Sequence, residues 1–386
     1  MNWLRSDIVY CSNVHPCSSV AELINQLYQH VIPIKKSRKL SKMSLGLWFN
    51  QVVVADFKEN KAQAQRFVDL MHKEQLTILT LNAFPQRLFH GKKIKTKVYL
   101  PNWSSSKRLQ YNVALLSLIS AYPSIFSHEV TISTLPLGYK NNWNKQKHQQ
   151  AILHLTSLAH YLADFKINTG IDVRVCLEME PDCVLEKTSE MIHFFTDELK
   201  VKDNRDVRNH LGVCFDICHQ AVMHENVQSS FHALFLAGII VGKVQVSNAL
   251  KFNNMDLSKL IKTLLPFQQS PYLHQMKVKT AEALIAFSDI SPQTLDSLPS
   301  QGETRVHFHM PINQQVIEPF LLTTQSEIVE VLNYLQSSGL RPHLEVETYT
   351  WSVIDVQANN KQLNHYLTTE LNWLENQLSI KALLQE

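Results

Sequence analysis

The sequence predicts an α/β fold closed into a (β/α)8 TIM barrel, and three observations predict it. Short runs of Val, Ile, Leu and Phe recur along the 386 residues, most of them separated by amphipathic stretches of helical length. The runs are nearly continuously apolar, which marks strands buried on both faces, as in a parallel sheet covered by helices. About eight such units in one chain close into a barrel. A doubly wound sheet is the competitor, but no G-x-G-x-x-G segment follows the first strand.

The elements follow in order. DIVYCSNVHP (7–16) is the first strand and ends on Asn13 and His15; SVAELINQLYQHVI behind it has helical spacing. LGLWFNQ (45–51) is the second strand, followed by the helical NKAQAQRFVDLMHKEQ. LTILTLNAFP (76–85) is the third, closed by Asn82, and VTISTLPLGY (130–139) is the fourth. The helix QKHQQAILHLTSLAHYLADFKINTG stops at Gly170, where glycine can take the left-handed cap conformation. VRVCLEMEP (173–181), LGVCFDICH (211–219) and GKVQVSNA (242–249) are the fifth to seventh strands. LEVETYTW (344–351) is the last, preceded by QSEIVEVLNYLQSSG with its terminal Gly339.

One run, TRVHFHMP (304–311), is surplus to eight and reads as an added strand or a loop crossing the barrel mouth. Residues 251–303 read as an insertion after the seventh strand, and about 359–384 as a closing helix, in one domain spanning 1–386.

Composition excludes several functions. A net charge of +3 and a pI near 8.4 lack the concentrated basic character of nucleic-acid binders. No apolar run approaches the roughly 20 residues of a membrane helix, so no membrane insertion is expected. The start, MNWLRSDIVYCSNVHP, lacks the apolar core of a secretory signal. Six cysteines in so long a chain are not a disulfide framework, and Cys214 and Cys218 read as buried core residues. The expectation is a cytoplasmic protein whose partner is a small-molecule metabolite.

Polar residues gather at the C-terminal strand ends, which in a parallel barrel form one mouth. Glu178 and Glu180 close the fifth strand, Asp216 and His219 the sixth, and Lys243, Gln245 and Ser247 lie along the seventh. His307 and His309 come from the surplus run, and Glu345 and Glu347 from the last strand. So many carboxylates and imidazoles converging would repel or desolvate one another, and a divalent cation is the simplest compensation. His128, His224 and His274 read as solvated or hydrogen-bonded side chains. The lysines of FHGKKIKTKVY (89–99) read as a solvated edge rather than an anion site.

An acid on the fifth strand, Asp-x-x-His on the sixth and an acid on the eighth resemble the xylose-isomerase-like TIM-barrel superfamily of sugar isomerases, ketose epimerases and abasic-site endonucleases. More narrowly, YCSNVHP, LTLNAFP, FHGKKIKTKVYLPNW, STLPLGYK, LEMEPDC, GVCFDICHQAV, KVQVSNAL, VHFHMP and LEVETYTW resemble the successive motifs of EboE-type metabolite-traffic proteins. That resemblance implies other ebo-cluster proteins as partners.

The superfamily's metal site would fall on Glu178 (or Glu180), Asp216 and Glu347 (or Glu345), with Mn, Zn or Mg as the ion. Gln245 stands where a histidine ligand is expected, and His307 and His309, His309 foremost, are the candidate replacements if their segment folds over the mouth. Glu178 and Glu347 would act as base and acid, and His219 would orient substrate. His15, Asn82, Glu180, His307 and Glu345 would contact it as well. The favoured activity is metal-assisted isomerisation or epimerisation of a sugar-like or hydroxy-carbonyl metabolite. The rivals are a non-catalytic carrier using the same mouth and a metal-dependent phosphodiesterase acting at abasic sites.

Overall fold

The computed structural model describes residues 3–88, 94–253, 257–264, 272–318, 321–355 and 357–379. Its strands are β1 (Val9–Tyr10), β2 (Met43–Trp48), β3 (Leu76–Asn82), β4 (Phe126–Thr134), β5 (Asp172–Glu178), β6 (Leu211–Asp216) and β7 (Val241–Val246). Then come β8 (Asn248–Asn253), β9 (Met276–Lys279), β10 (Leu284–Phe287), β11 (Glu303–Met310), β12 (Val316–Glu318), β13 (Leu321–Thr323) and β14 (His343–Val346).

Eight of these form one parallel sheet in the order β1-β14-β7-β6-β5-β4-β3-β2. A parallel bridge between Cys11 and Gly46 brings the β1 and β2 edges together, so the sheet curls into a nearly closed barrel. Helices cover it outside. The helix Lys145–Thr169 buries Leu155, Leu158, Ala159, Leu162 and Phe165, one stripe at helical spacing. Each such leucine contributes about 1.5–3 kcal/mol of burial. That helix and Gln325–Ser338 both end on a left-handed glycine, Gly170 and Gly339. The last helix, Asn360–Gln377, is capped by Asn359.

The remaining six strands form a second, antiparallel sheet in the order β10-β9-β11-β8-β13-β12, with its own apolar core around Phe252, Val306 and Phe308. The inserted layer therefore runs from Asn248 to Thr323, further than the expected 251–303, and the surplus run TRVHFHMP is its β11. Only Ser247 separates β7 from β8, so one continuous apolar pattern leaves the barrel wall and enters another sheet. On β11 the two-residue alternation sends Val306, Phe308 and Met310 into the second core. His307 and His309 fall on the opposite face, toward the barrel mouth, and line its cavity.

Candidate metal centre

The centre is built from strand exits. Asp216 ends β6 and is also the N-cap of the helix Ile217–Val222. Its Oδ1 accepts from the His219 backbone N–H at 2.8 Å and from Ser247 Oγ at 2.8 Å. This turn explains the Asp-x-x-His spacing, because a capping carboxylate binds the third amide of its helix. Asp216 Oδ2 is left with no hydrogen-bond partner among the described residues, although the residue is wholly buried. Glu178 Oε2, at the β5 exit, is in the same condition.

Glu347 follows β14, and its Oε1 accepts from Asn13 Nδ2 at 2.6 Å and Asn82 Nδ2 at 3.2 Å. Carboxylate oxygens of Glu178, Asp216 and Glu347 lie within 4.8 Å of one another, all three residues buried. Burial, then the charges of Glu347 and Asp216, push the Glu178 carboxyl well above the usual range. Burial and Asp216 raise Glu347 to about 8. Two orphaned buried oxygens within a crowd of three acids fit a cation, which would supply the missing partner and the missing charge. Gln245 sits between Asp216 and Glu345 in the strand register, buried, with neither amide atom hydrogen-bonded to a described residue.

Three histidines stand beside the acids. His219 Nε2 is 3.1 Å from His307 Nε2, which is 3.2 Å from His309 Nε2. Burial holds His219 down at about 4, and His307 and His309 below their ordinary value.

Glu178, Glu347 and the three histidines line a cavity of about 90 Å³ together with Asn82, Tyr99, Glu180, Tyr272 and Tyr349; Asp216 is not part of its lining. Glu180 Oε1 accepts from Tyr99 at 2.7 Å and Gln275 Nε2 at 3.3 Å, and burial raises the Glu180 carboxyl to about 8. An ion pair of 2.6 Å between Lys95 and Asp289 ties the segment after β3 to the inserted sheet.

Two expected substrate contacts lie elsewhere. Glu345 is inside the barrel, paired with Lys243 at 2.9 Å and bonded by Thr80, and does not line the cavity. His15 is packed against Tyr10 and stacked on His30 at 3.9 Å, because β1 is short and Ser12–Val14 forms a 3-10 turn. Lys92 and Lys93 lie outside the described residues and Lys97 is exposed, but Lys95, paired with Asp289, lines the cavity, so the run is not wholly the solvated edge expected. Sequence reasoning missed Tyr99, Tyr272 and Gln275. Tyr99 closes the lysine-rich run read as a solvated edge, and only burial among so many charges would have marked it.

The raised carboxyls have a measurable consequence. In metal-free protein Glu180, Glu347 and Glu370, at about 8, 8 and 7, keep protons in the folded state that the unfolded chain has released. Stability should therefore fall as pH rises from about 4.5 to 8. His219, His224, His274 and His343, at about 4, act oppositely. Their contribution is present above pH ~6.5 and lost as pH falls toward 4. Above pH ~7.5 the histidines are neutral in both states and the carboxyls act against no opposing histidine, so the melting temperature of chelator-stripped protein should drop between about pH 7.5 and 8. A flat or rising profile there would contradict the burial of these acids.

Structural neighbours are xylose-isomerase-like TIM-barrel proteins. The chain superposes on a xylose isomerase domain protein from Planctomyces limnophilus with a TM-score of 0.52, at 10% identity over 98% of both chains. It is also similar to a D-tagatose 3-epimerase-like protein (TM-score 0.47, 12% identity, 97% of this chain and 100% of that one). A third neighbour is the IOLI protein solved with a zinc atom (TM-score 0.49, 10% identity, 100% of both chains). At 10% identity, the likeness to the Planctomyces limnophilus protein supports the fold alone. No protein-family model matches the sequence, and no curated protein matches it.

Proposed function

We propose that the protein is a metal-assisted isomerase or epimerase acting on a small sugar-like or hydroxy-carbonyl metabolite, with residues 1–386 working as one domain in the cytoplasm. The observation that carries this reading is the cluster of Glu178, Asp216 and Glu347, whose oxygens converge with two of them orphaned. These residues would hold Mn, Zn or Mg, with Gln245 in place of an imidazole ligand. A bound divalent ion would polarise a substrate carbonyl and offset the negative charge that develops on its oxygen.

The chain's own groups would do the rest. Glu178 and Glu347 stand at the exits of two different strands and both line the cavity, which suits one to take a carbon-bound proton and the other to return it. Asn13 and Asn82 hold the Glu347 carboxylate in place. Glu180, held by Tyr99 and Gln275, would hydrogen-bond a substrate hydroxyl. Tyr99 and Tyr272 add aromatic surface to the cavity lining. No helix among the described residues is long and apolar enough to cross a membrane.

Manganese-loaded protein incubated with a panel of short aldoses and ketoses in D2O tests the reading. Deuterium should enter the carbon beside the carbonyl, and Glu178→Gln should abolish it. A sugar that binds without exchange would favour the carrier reading, to which Gln245 and the EboE-type motifs lend support, with other ebo-cluster proteins as its partners. Abasic-site cleavage is disfavoured by a net charge of only +3, which gives little pull on a phosphate backbone.

A further inference from the structure

We propose that Glu370, on the closing helix Asn360–Gln377, is a positioning residue whose carboxylate pins together the two strand exits that bring Glu347 and His309 to the mouth. Its bearing on catalysis rests on the isomerase reading; the contacts themselves do not.

The helix sequence raises the question. Leu367, Leu371 and Leu374 form its buried stripe, and Glu370 stands among them, wholly buried. A leucine would fill that position without desolvating a charge, whereas a carboxylate there needs donors to offset the water it has lost. It has three. Glu370 Oε1 accepts from the Ile312 backbone N–H at 3.0 Å and from Thr348 Oγ1 at 2.7 Å. Oε2 accepts from Trp351 Nε1 at 3.0 Å. Burial pushes the carboxyl up, and these bonds pull it part of the way back.

The donors belong to two different exits. Ile312 lies just beyond β11, three residues after His309, and Thr348 is the neighbour of Glu347. One oxygen therefore joins the chain leaving the inserted sheet to the chain leaving the barrel wall. The same two segments meet again beside the cavity. His309 Nδ1 donates to the Glu347 carbonyl at 2.8 Å, and Thr350 Oγ1 donates to the His309 carbonyl. The His309 and Tyr349 rings lie 4.7 Å apart. β14 stops at Val346, and the chain past the Glu347 amide is held by side-chain contacts of this kind.

The helix has a separate anchor. Glu375 pairs with Arg38 at 2.6 Å and with Arg5 at 2.7 Å, so the helix keeps its seat when Glu370 is changed. Glu375 ties the helix to the body of the barrel; Glu370 reaches the mouth.

Histidine ring protons read this directly, in protein labelled with ¹⁵N-histidine and followed by NMR hydrogen exchange. Glu370→Leu should speed exchange of the His309 Nδ1 proton at least ~10-fold, because hydrogen bonds to a charged group are lost. The His219 Nδ1 proton, held by the Met179 carbonyl at 2.8 Å, should keep its wild-type rate. Glu370→Gln, whose Oε1 can still accept from Ile312 and Thr348, should restore most of the protection. Glu375→Gln should lower the melting temperature with no selective effect at His309. Equal acceleration at His219 and His309 in Glu370→Leu, or none at His309, overturns the proposal. Should Glu370→Leu fail to fold, Thr348→Val takes its place: selective acceleration at His309 is expected, and its absence refutes the role. A protein that holds no metal and exchanges no substrate hydrogen would remove the isomerase reading and leave this result standing.

Discussion

Lys243→Met should lower stability by about 3–5 kcal/mol, the cost of stranding one half of a buried ion pair. Both side chains of the Lys243–Glu345 pair are wholly buried, with 2.9 Å between charges. Lys243 Nζ also donates to Ser133 at 3.2 Å, and Thr80 donates to the other Glu345 oxygen. Burial opposes the ammonium most strongly, but Glu345 together with Cys214 and Cys11 more than offsets it and keeps Lys243 charged. Gly46 is part of the arrangement, since a Cβ there would collide with the Glu345 carboxylate.

With methionine at 243, Glu345 keeps its hydroxyl donor and loses its counter-charge. An unfolding entropy of ~2.1 cal/mol/K per residue converts the loss to a melting-temperature drop of about 4–6 °C. Lys243→Met/Glu345→Leu should recover most of it, because an apolar replacement of both partners is close to neutral. Thermal melts of the wild type, both single variants and the double variant form the cycle. A single variant that melts with wild type would show that the pair is not coupled.

The barrel was legible because parallel strands covered on both faces must be apolar throughout, and the chain repeats that signature at every wall strand. The second sheet was not, for the same reason in reverse. β7 and β8 are separated by a single residue, and no change of composition marks the point where the wall ends. In the site, Asp216 and His219 could be paired from spacing. That the link is a helix cap, which commits one carboxylate oxygen and frees the other, depends on the turn itself.

Glu345 and Glu347 share a face in a straight strand, yet β14 stops at Val346 and the two part company. One is sealed inside the barrel and the other is handed to Asn13 and Asn82. His15 failed the same way, since a strand of two residues and a 3-10 turn cannot sustain an alternation argument. The polar character of the mouth was thus readable, while the direction of each side chain depended on where its strand ended.

Asp216→Asn should weaken metal binding by at least ~100-fold, the upper end of what even outer partners of a metal contribute. That factor corresponds to about 2.7 kcal/mol at 25 °C. The substitution is nearly isosteric, and its effect divides cleanly between the two oxygens. Asparagine Oδ1 can go on accepting from the His219 amide and Ser247, so the cap of Ile217–Val222 survives. The amide nitrogen replaces Oδ2, the atom that has no partner and lies among Glu178, Glu347 and His309. It removes a charge and presents hydrogens where a cation would need a lone pair. In metal-free protein the same change relieves repulsion among three buried acids, so the variant should melt at the wild-type temperature or slightly above it. Added Mn²⁺ or Zn²⁺ should then raise the wild type's melting temperature and leave the variant's almost unmoved, with metal content by mass spectrometry following the same order. An Asp216 that merely capped its helix would behave otherwise, giving neither protein any metal. Wild type grown in metal-supplemented medium that stays empty and melts indifferently to both ions would remove the metal from this mouth and leave the carrier reading in its place.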